Sequence, residues 1–214
     1  MIAIITGDLV GSRHVMRQDR WLKPLKKLLR EWGPSPGIWD IYRGDSFQIQ
    51  IDDPADALLT ALRIKALIRS IPPDDAEKRN PVLDVRMAIG IGEKNFAARQ
   101  ITESNGPAFV RSGEQYERLR KEKVNLAMSS PWPALDEDLN LCLRLAGITM
   151  DAWTVNSAEI AAAVLRQPEQ TQQQLGEQLG IEQNTVSDRF RRAHLPEILA
   201  LEELYRKRIN QQRS

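Results

Sequence analysis

The sequence predicts an α/β sandwich on a mixed sheet, followed by an all-α unit. Three observations predict it. Apolar or alternating stretches that read as strands (2–5, 41–51 and 82–92) take turns with helical periodicity over residues 1–133. Beyond that point only helical periodicity continues. Ser129-Ser130-Pro131-Trp132-Pro133 stands between the two regimes, giving a first domain at 1–133, a linker helix within 134–156 and a second domain at 157–214.

Ile2-Ala3-Ile4-Ile5 is a continuous apolar run, the pattern of a fully buried strand, and the lone carboxylate Asp8 follows where that strand ends. A charge at the rim of a sheet stands where sites are usually built. Gly11-Ser12 turns the chain toward a helix carrying Trp21, Leu22, Leu25, Leu28, Leu29 and Trp32 at threes and fours. Gly33-Pro34-Ser35-Pro36-Gly37 ends that helix. Residues 41–51 alternate on both sides of Gly44-Asp45, which predicts a hairpin with a two-residue turn. Asp52-Asp53-Pro54 then caps a helix over 55–71 with Leu58, Leu62, Leu67 and Ile68 on its apolar side, broken by Pro72-Pro73. A charged loop, 74–80, leads to the strand 82–92. Strand, helix, hairpin, helix, strand is the order of a ferredoxin-like fold.

Residues 101–123 start as a loop at Asn105-Gly106-Pro107 and become a helix. Phe109, Tyr116 and Leu119 are expected on the sheet, and Arg111, Arg118, Arg120 and Lys121 in solvent. Residues 124–128 read as an edge strand. The linker helix, 136–147, is expected to turn Leu139, Leu143 and Leu145 inward, with Cys142 as a small packing residue. Asn156-Ser157 is the expected cap of an alanine-rich helix over 158–166.

In residues 171–193, Leu175 and Leu179 share one helix face, Gly180 turns the chain, Ile181 packs back, and Val186 and Phe190 line the next helix. Apolar residues so spaced around a glycine define a helix-turn-helix. Its second helix would present Gln183, Asn184, Thr185, Ser187 and Asp188 to the major groove, while Arg191 and Arg192 suit phosphates. DNA is therefore an expected partner, although residues 157–214 are close to neutral, which argues against tight nonspecific binding. A three-helix bundle serving dimerisation is the alternative. The last helix, 196–210, carries Ile198, Leu201, Leu204 and Tyr205 on one side and packs on its neighbours or pairs with a second chain.

Bulk properties narrow the classes. A net charge of +1 excludes a global pull toward nucleic acid or membrane. The single cysteine, Cys142, excludes an internal disulfide and a Cys-based zinc site. No apolar run approaches the roughly 20 residues that span a bilayer, and the start lacks the basic region of a signal peptide. A cytoplasmic protein with no membrane partner is expected. His14 and His194 are isolated, so no triad or zinc site is expected around them.

The candidate site is Asp8 with Asp45. If the first strand neighbours the hairpin, the two carboxylates face each other and suit a divalent cation such as Mg²⁺, which takes oxygen ligands and keeps some waters. A cation there would clamp a nucleoside triphosphate, as ligand or as substrate, with Asp8 and Asp45 then catalytic as well as metal-holding. Gly7 and Gly11 would let a ligand approach the backbone, and a helix starting near Ser12 would aim its first N–H groups at a phosphate. Arg13 and Arg43 are the nearest fixed cations, and Gly44 completes the nucleotide set of Gly11, Ser12, Arg13 and Arg43. Glu103, Arg86 and Asp84 are candidate neighbours that spacing does not place. The plainer alternative has Asp8 capping the first helix and Asp45 favoured by its turn.

An acid ending the first strand, Gly44-Asp45 in the next hairpin and Arg86-Met87-Ala88-Ile89-Gly90-Ile91-Gly92 in the third strand together resemble the palm-type core of class III nucleotide cyclases, shared by GGDEF-type enzymes and many polymerases. ITGDLVGSR at 5–13, RGDSFQ at 43–48 and Gly106-Pro107-Ala108-Phe109 are similar to bacterial proteins of the SatD family, and that similarity runs over nearly the whole chain. The resemblance implies a palm-like domain followed by a C-terminal helix-turn-helix. The Asn and Arg that steady the transferring phosphate in cyclases fall on Val110 and Glu114 here, which weighs against cyclisation but not against nucleotide binding. The expectation is a DNA-binding regulator with a nucleotide- and Mg²⁺-sensing domain. Its rivals are a nucleotidyltransferase or cyclase localised by its helix-turn-helix, and a non-catalytic scaffold.

Overall fold

A computed structural model describes residues 1–12, 17–73 and 83–213. Its centre is β1 (Ile2–Val10), which pairs antiparallel with β3 (Ser46–Ile51) on one side and β4 (Asp84–Gly92) on the other. β2 (Trp39–Tyr42) closes a hairpin with β3, and β5 (Leu126–Ser129) lies parallel to β4. The sheet is mixed, with order β2-β3-β1-β4-β5, and the fold is α+β.

Strand periodicity divides the sheet's side chains between two faces. Ala3, Ile5 and Leu9 join Phe47, Ile49 and Ile51 of β3 and Val85, Met87, Ile89 and Ile91 of β4 in the main core. Over that core lie α1 (Asp19–Leu29), through Trp21, Leu25 and Leu29, and α2 (Ala57–Arg69), which is buried nearly all round. Ile4 points the other way, to Ile101, Ala108 and Phe109 under α3 (Pro107–Glu122). α3 packs across β1, β4 and β5, and Phe109, Tyr116 and Leu119 face the sheet as expected. Polar Ser46 and Gln48 of β3, alternating with Phe47 and Ile49, are left facing a cleft beside α3.

α4 (Pro133–Met150) runs along the edge strand β5. Asn140 accepts from Met128 N at 2.8 Å and donates to Met128 O at 2.9 Å, so a side-chain amide satisfies the outer rim of β5 and blocks further strand pairing. α5 (Val155–Arg166) packs on α2, and α6 (Gln172–Leu179), α7 (Gln183–Arg192) and α8 (Leu195–Arg213) follow. Trp153, Leu175, Val186, Leu195, Tyr205 and Ile209 belong to the same hydrophobic cluster as the α1/α2 side of the sheet. α8 is also tied by polar contacts to the 3₁₀ turn before α2: Tyr205 Oη donates to Pro54 O at 3.0 Å, and Arg206 donates to Asp56 Oδ1. Among the described residues no helix is long and apolar enough to cross a membrane.

Several expectations are corrected. Asp8 lies inside β1, paired with Ser46 and Arg86, rather than beyond the strand's end. The hairpin loop holds three residues, 43–45, because Arg43 and Gly44 both take positive φ (52° and 90°). α1, which carries Trp21, Leu25 and Leu29, starts at Asp19, and the residues directly after Ser12 lie outside the described ones. Leu145 is 59% exposed, because the inward face of α4 is Leu135, Leu139, Leu143 and Met150. Thr154, whose hydroxyl accepts from Ser157 N, caps α5 in place of Asn156-Ser157.

Candidate active site

The register of β1 builds the site. Asp8 stands opposite Ser46 of β3 and opposite Arg86 of β4, and Thr6 stands opposite Gln48, so these side chains share one sheet face. Gln48 Nε2 donates to Thr6 Oγ1 at 3.1 Å, and Thr6 Oγ1 lies 3.0 Å from Ser112 Oγ, fixing α3 to β1 through buried hydroxyls. Asp45 enters from the hairpin loop. Its carbonyl accepts from Leu9 N at 3.2 Å, and its Oδ2 accepts from Ser12 Oγ at 2.5 Å. Gly11, at φ +85°, supplies the left-handed turn between β1 and Ser12.

These elements enclose an open cleft of about 840 Å³. Its sheet side carries Thr6, Asp8, Ser46, Gln48 and Arg86; its rim carries Gly11, Ser12, Tyr42, Arg43 and Asp45; its far wall is Gly113, Tyr116, Glu117 and Arg120 of α3. Three guanidinium groups therefore face three carboxylates in a half-open, polar space.

Asp8 is the least settled of these groups. Burial lifts its carboxyl above the usual carboxylate range; Arg86 and the Tyr116 hydroxyl oppose the shift, and the charge of Asp45 adds to it. Burial and the adjacent Asp8 charge in turn hold the Tyr116 phenol protonated well above its ordinary range. Arg86 Nη1 lies 3.8 Å from Asp8 Oδ1, an ion pair too long for a hydrogen bond. Asp8 Oδ1 and Arg86 Nε are both buried with no hydrogen-bond partner.

Asp8, Asp45, Gly11, Ser12 and Arg43 of the sequence-derived site line this one cleft. Gly44 sits in the loop beside it without lining it. Arg13 and His14 lie outside the described residues. Gly7 has a different role from the one expected: a Cβ there would stand 2.7 Å from Phe47 Cζ, so the missing side chain makes room for a core aromatic ring. The helical start expected near Ser12 runs into residues outside the described ones, and α1 itself begins at Asp19.

Arg86 enters the site, whereas Asp84 is drawn into a separate buried ion network and Glu103 lies in a short 3₁₀ turn. Arg120, exposed as expected, also borders the cleft together with Tyr116. Their positions at 113, 116, 117 and 120 follow helical spacing, a sequence signal that marks one face of α3. Val110 and Glu114 fall outside the lining.

Two carboxylates, one with a buried oxygen that accepts no hydrogen bond, suit a hard cation that completes its coordination with water and ligand oxygens. They do not form a closed cage: among the described residues no group of three or more His, Cys, Asp or Glu is placed to hold a metal.

On the opposite side of the sheet, α6 and α7 are joined through Gly180 (φ +65°), and Ile181 N donates to Gly176 O at 2.9 Å. Val186 is buried, while Gln183, Asn184, Thr185, Ser187, Arg191 and Arg192 are exposed along α7. Arg191 pairs with Asp188 at 2.9 Å, and Arg189 is tied to Glu159 of α5 at 2.7 Å. No protein-family model matches this chain, and no curated protein matches it.

Proposed function

We propose that this chain is a DNA-binding regulator whose first 133 residues form a ferredoxin-like palm that binds a nucleoside triphosphate with Mg²⁺, and whose α6–α7 unit is a helix-turn-helix that reads DNA. The element order β1-α1-β2-β3-α2-β4 and the antiparallel pairing of β1 between β3 and β4 support the palm. The observation that carries the nucleotide reading is Asp8 Oδ1, buried without a hydrogen-bond partner in a cleft shared with Asp45 and three arginines. Asp8 and Asp45 would hold the cation, which supplies charge neutralisation to the phosphates. Arg43 and Arg120 would take phosphate oxygens as fork-shaped donors, and Tyr42 at the rim offers a ring face to a base.

Strand pairing and hydrogen bonds link the wall of the cleft to the end of α7. Val10 of β1 pairs with Asp84; Asp84 accepts from Arg69 of α2 at 3.0 Å; Arg69 donates to Trp153 O; and Trp153 Nε1 donates to Ala193 O at the end of α7 at 2.9 Å. That linkage supports a cleft whose occupancy biases the DNA-reading helices.

Calorimetric titration with ATP and GTP in Mg²⁺ tests the first half. Asp8→Ala is expected to weaken binding by about 10–100-fold, and saturable binding without product on chromatography favours a sensor. New phosphodiester product that Asp8→Ala abolishes favours nucleotidyl transfer, a reading supported by Arg120 standing in the cleft where Val110 and Glu114 do not. For the second half, a gel shift with promoter DNA is expected to weaken in Arg191→Ala/Arg192→Ala. The slope of log affinity against log salt should fall by about 2 if both arginines meet phosphates. No shift by wild-type protein with any DNA at low salt would remove the DNA reading.

A further inference from the structure

We propose that Arg86 is a counter-ion switch: it balances Asp8 until a divalent cation binds there, and then turns its guanidinium to the phosphates that arrive with the cation. This rests on the reading of the cleft as a cation–nucleotide site, and it assigns the part played by a residue in which sequence spacing showed none.

The antiparallel register fixes Asp8 and Arg86 directly across from each other, so their backbones cannot separate. Their side chains are 22% and 18% exposed, well inside the cleft wall. At 3.8 Å the contact is electrostatic without a hydrogen bond, and both Asp8 Oδ1 and Arg86 Nε keep an unused bonding position. A pair meant only to hold the sheet together would close that gap, because a buried ion pair is stabilising only when its remaining lone pairs and protons are satisfied. The open valences instead match two later partners: a cation for the carboxylate oxygen, and an anion for the guanidinium fork. A divalent cation and a guanidinium repel each other across the distance now separating Arg86 from Asp8. Binding the first therefore releases the second, and the released arginine sits on the wall where phosphate oxygens would lie, beside Arg120.

The signature is a pair of effects of opposite sign. Arg86→Met should tighten binding of Mn²⁺ alone, read by calorimetry or by Mn²⁺ paramagnetic resonance, by about tenfold, and weaken binding of ATP to the Mn²⁺-loaded protein by about tenfold. Arg86→Lys keeps the charge and loses the fork, so it should leave Mn²⁺ affinity near wild type while still weakening ATP. A merely structural arginine would shift both ligands in the same direction, and that result overturns the switch. If Arg86→Met does not fold, Arg86→Lys decides alone: equal losses for Mn²⁺ and ATP overturn the proposal, and loss of ATP alone supports it. If wild-type protein binds neither Mn²⁺ nor ATP, the nucleotide site itself fails. Binding of both by wild type, with same-sign shifts in the variants, sinks only the switch.

Discussion

Asp84→Ala is expected to lower stability by about 3 kcal/mol, the lower end of the loss seen when one partner of a buried ion pair is removed. Asp84, at the first position of β4, accepts from Lys65 Nζ at 2.8 Å, from Arg69 Nη1 at 3.0 Å and from its neighbour Val85 N at 2.8 Å. Lys65 is only 1% exposed and Asp84 9%, so without the carboxylate two cations on α2 lose their main counter-charge away from water. The loss stays short of the maximum because Lys65 also reaches Asp151 at 2.6 Å and Arg69 also donates to the Trp153 carbonyl. Urea denaturation with an unchanged slope would report the loss as stability alone. Adding Lys65→Met to Asp84→Ala should recover part of it, because one stranded charge is then replaced by an apolar chain of similar length. A midpoint for Asp84→Ala close to wild type would mean that this network does not hold β4, α2 and α4 together.

Much of the scaffold was legible because it follows from periodicity. Ala3, Ile4 and Ile5 are buried on both faces as a continuous apolar run should be, and the Ser46–Ile51 alternation places Phe47, Ile49 and Ile51 inward. The two acids were visible as charges where an apolar strand and a glycine turn leave room for them. What chain spacing could not carry was register and handedness. Asp8 meets Arg86 only because β1 and β4, separated by most of the first domain, pair at one alignment among many, and a one-residue slip would turn Arg86 to the core. The three-residue hairpin needs Arg43 at φ 52°, a conformation a non-glycine residue seldom shows, so a two-residue turn was the natural reading of Gly44-Asp45. Leu145 shows a further limit. Apolar residues lie all along α4, and which of them turn inward depends on where β5 sits, not on the helix itself. The punctuation between residues 129 and 133 is silent on tertiary packing for a related reason. Pro131 and Pro133 mark a change of secondary structure, whereas the cluster running from Leu25 to Tyr205 is set by tertiary contact.

Gly90→Ala and Gly147→Ala make the same chemical change and are expected to act with opposite sign. Gly90 lies in β4 under α3, where an added Cβ would stand 2.3 Å from both Ala108 O and Ser112 N, inside the 3.0 Å that real Cβ contacts respect. Both obstacles are backbone, so no rotamer change relieves them and α3 as a whole has to lift from the sheet. Overpacking of this kind costs about 3 kcal/mol, and here it also strains the buried Thr6–Ser112 contact. Because α3 carries Tyr116, Glu117 and Arg120 into the cleft, nucleotide and Mn²⁺ affinity should fall with stability, although Gly90 itself does not line the site. Gly147 lies in α4 with nothing within 4 Å of an added Cβ, so alanine there removes only the backbone freedom of glycine and should stabilise by about 0.5–1 kcal/mol. Denaturation midpoints measure the first difference, and calorimetry of Gly90→Ala well below its midpoint measures the second. Lost stability with wild-type affinity would mean that α3 does not set the cleft, because the helix would have moved without disturbing what it is proposed to hold in place.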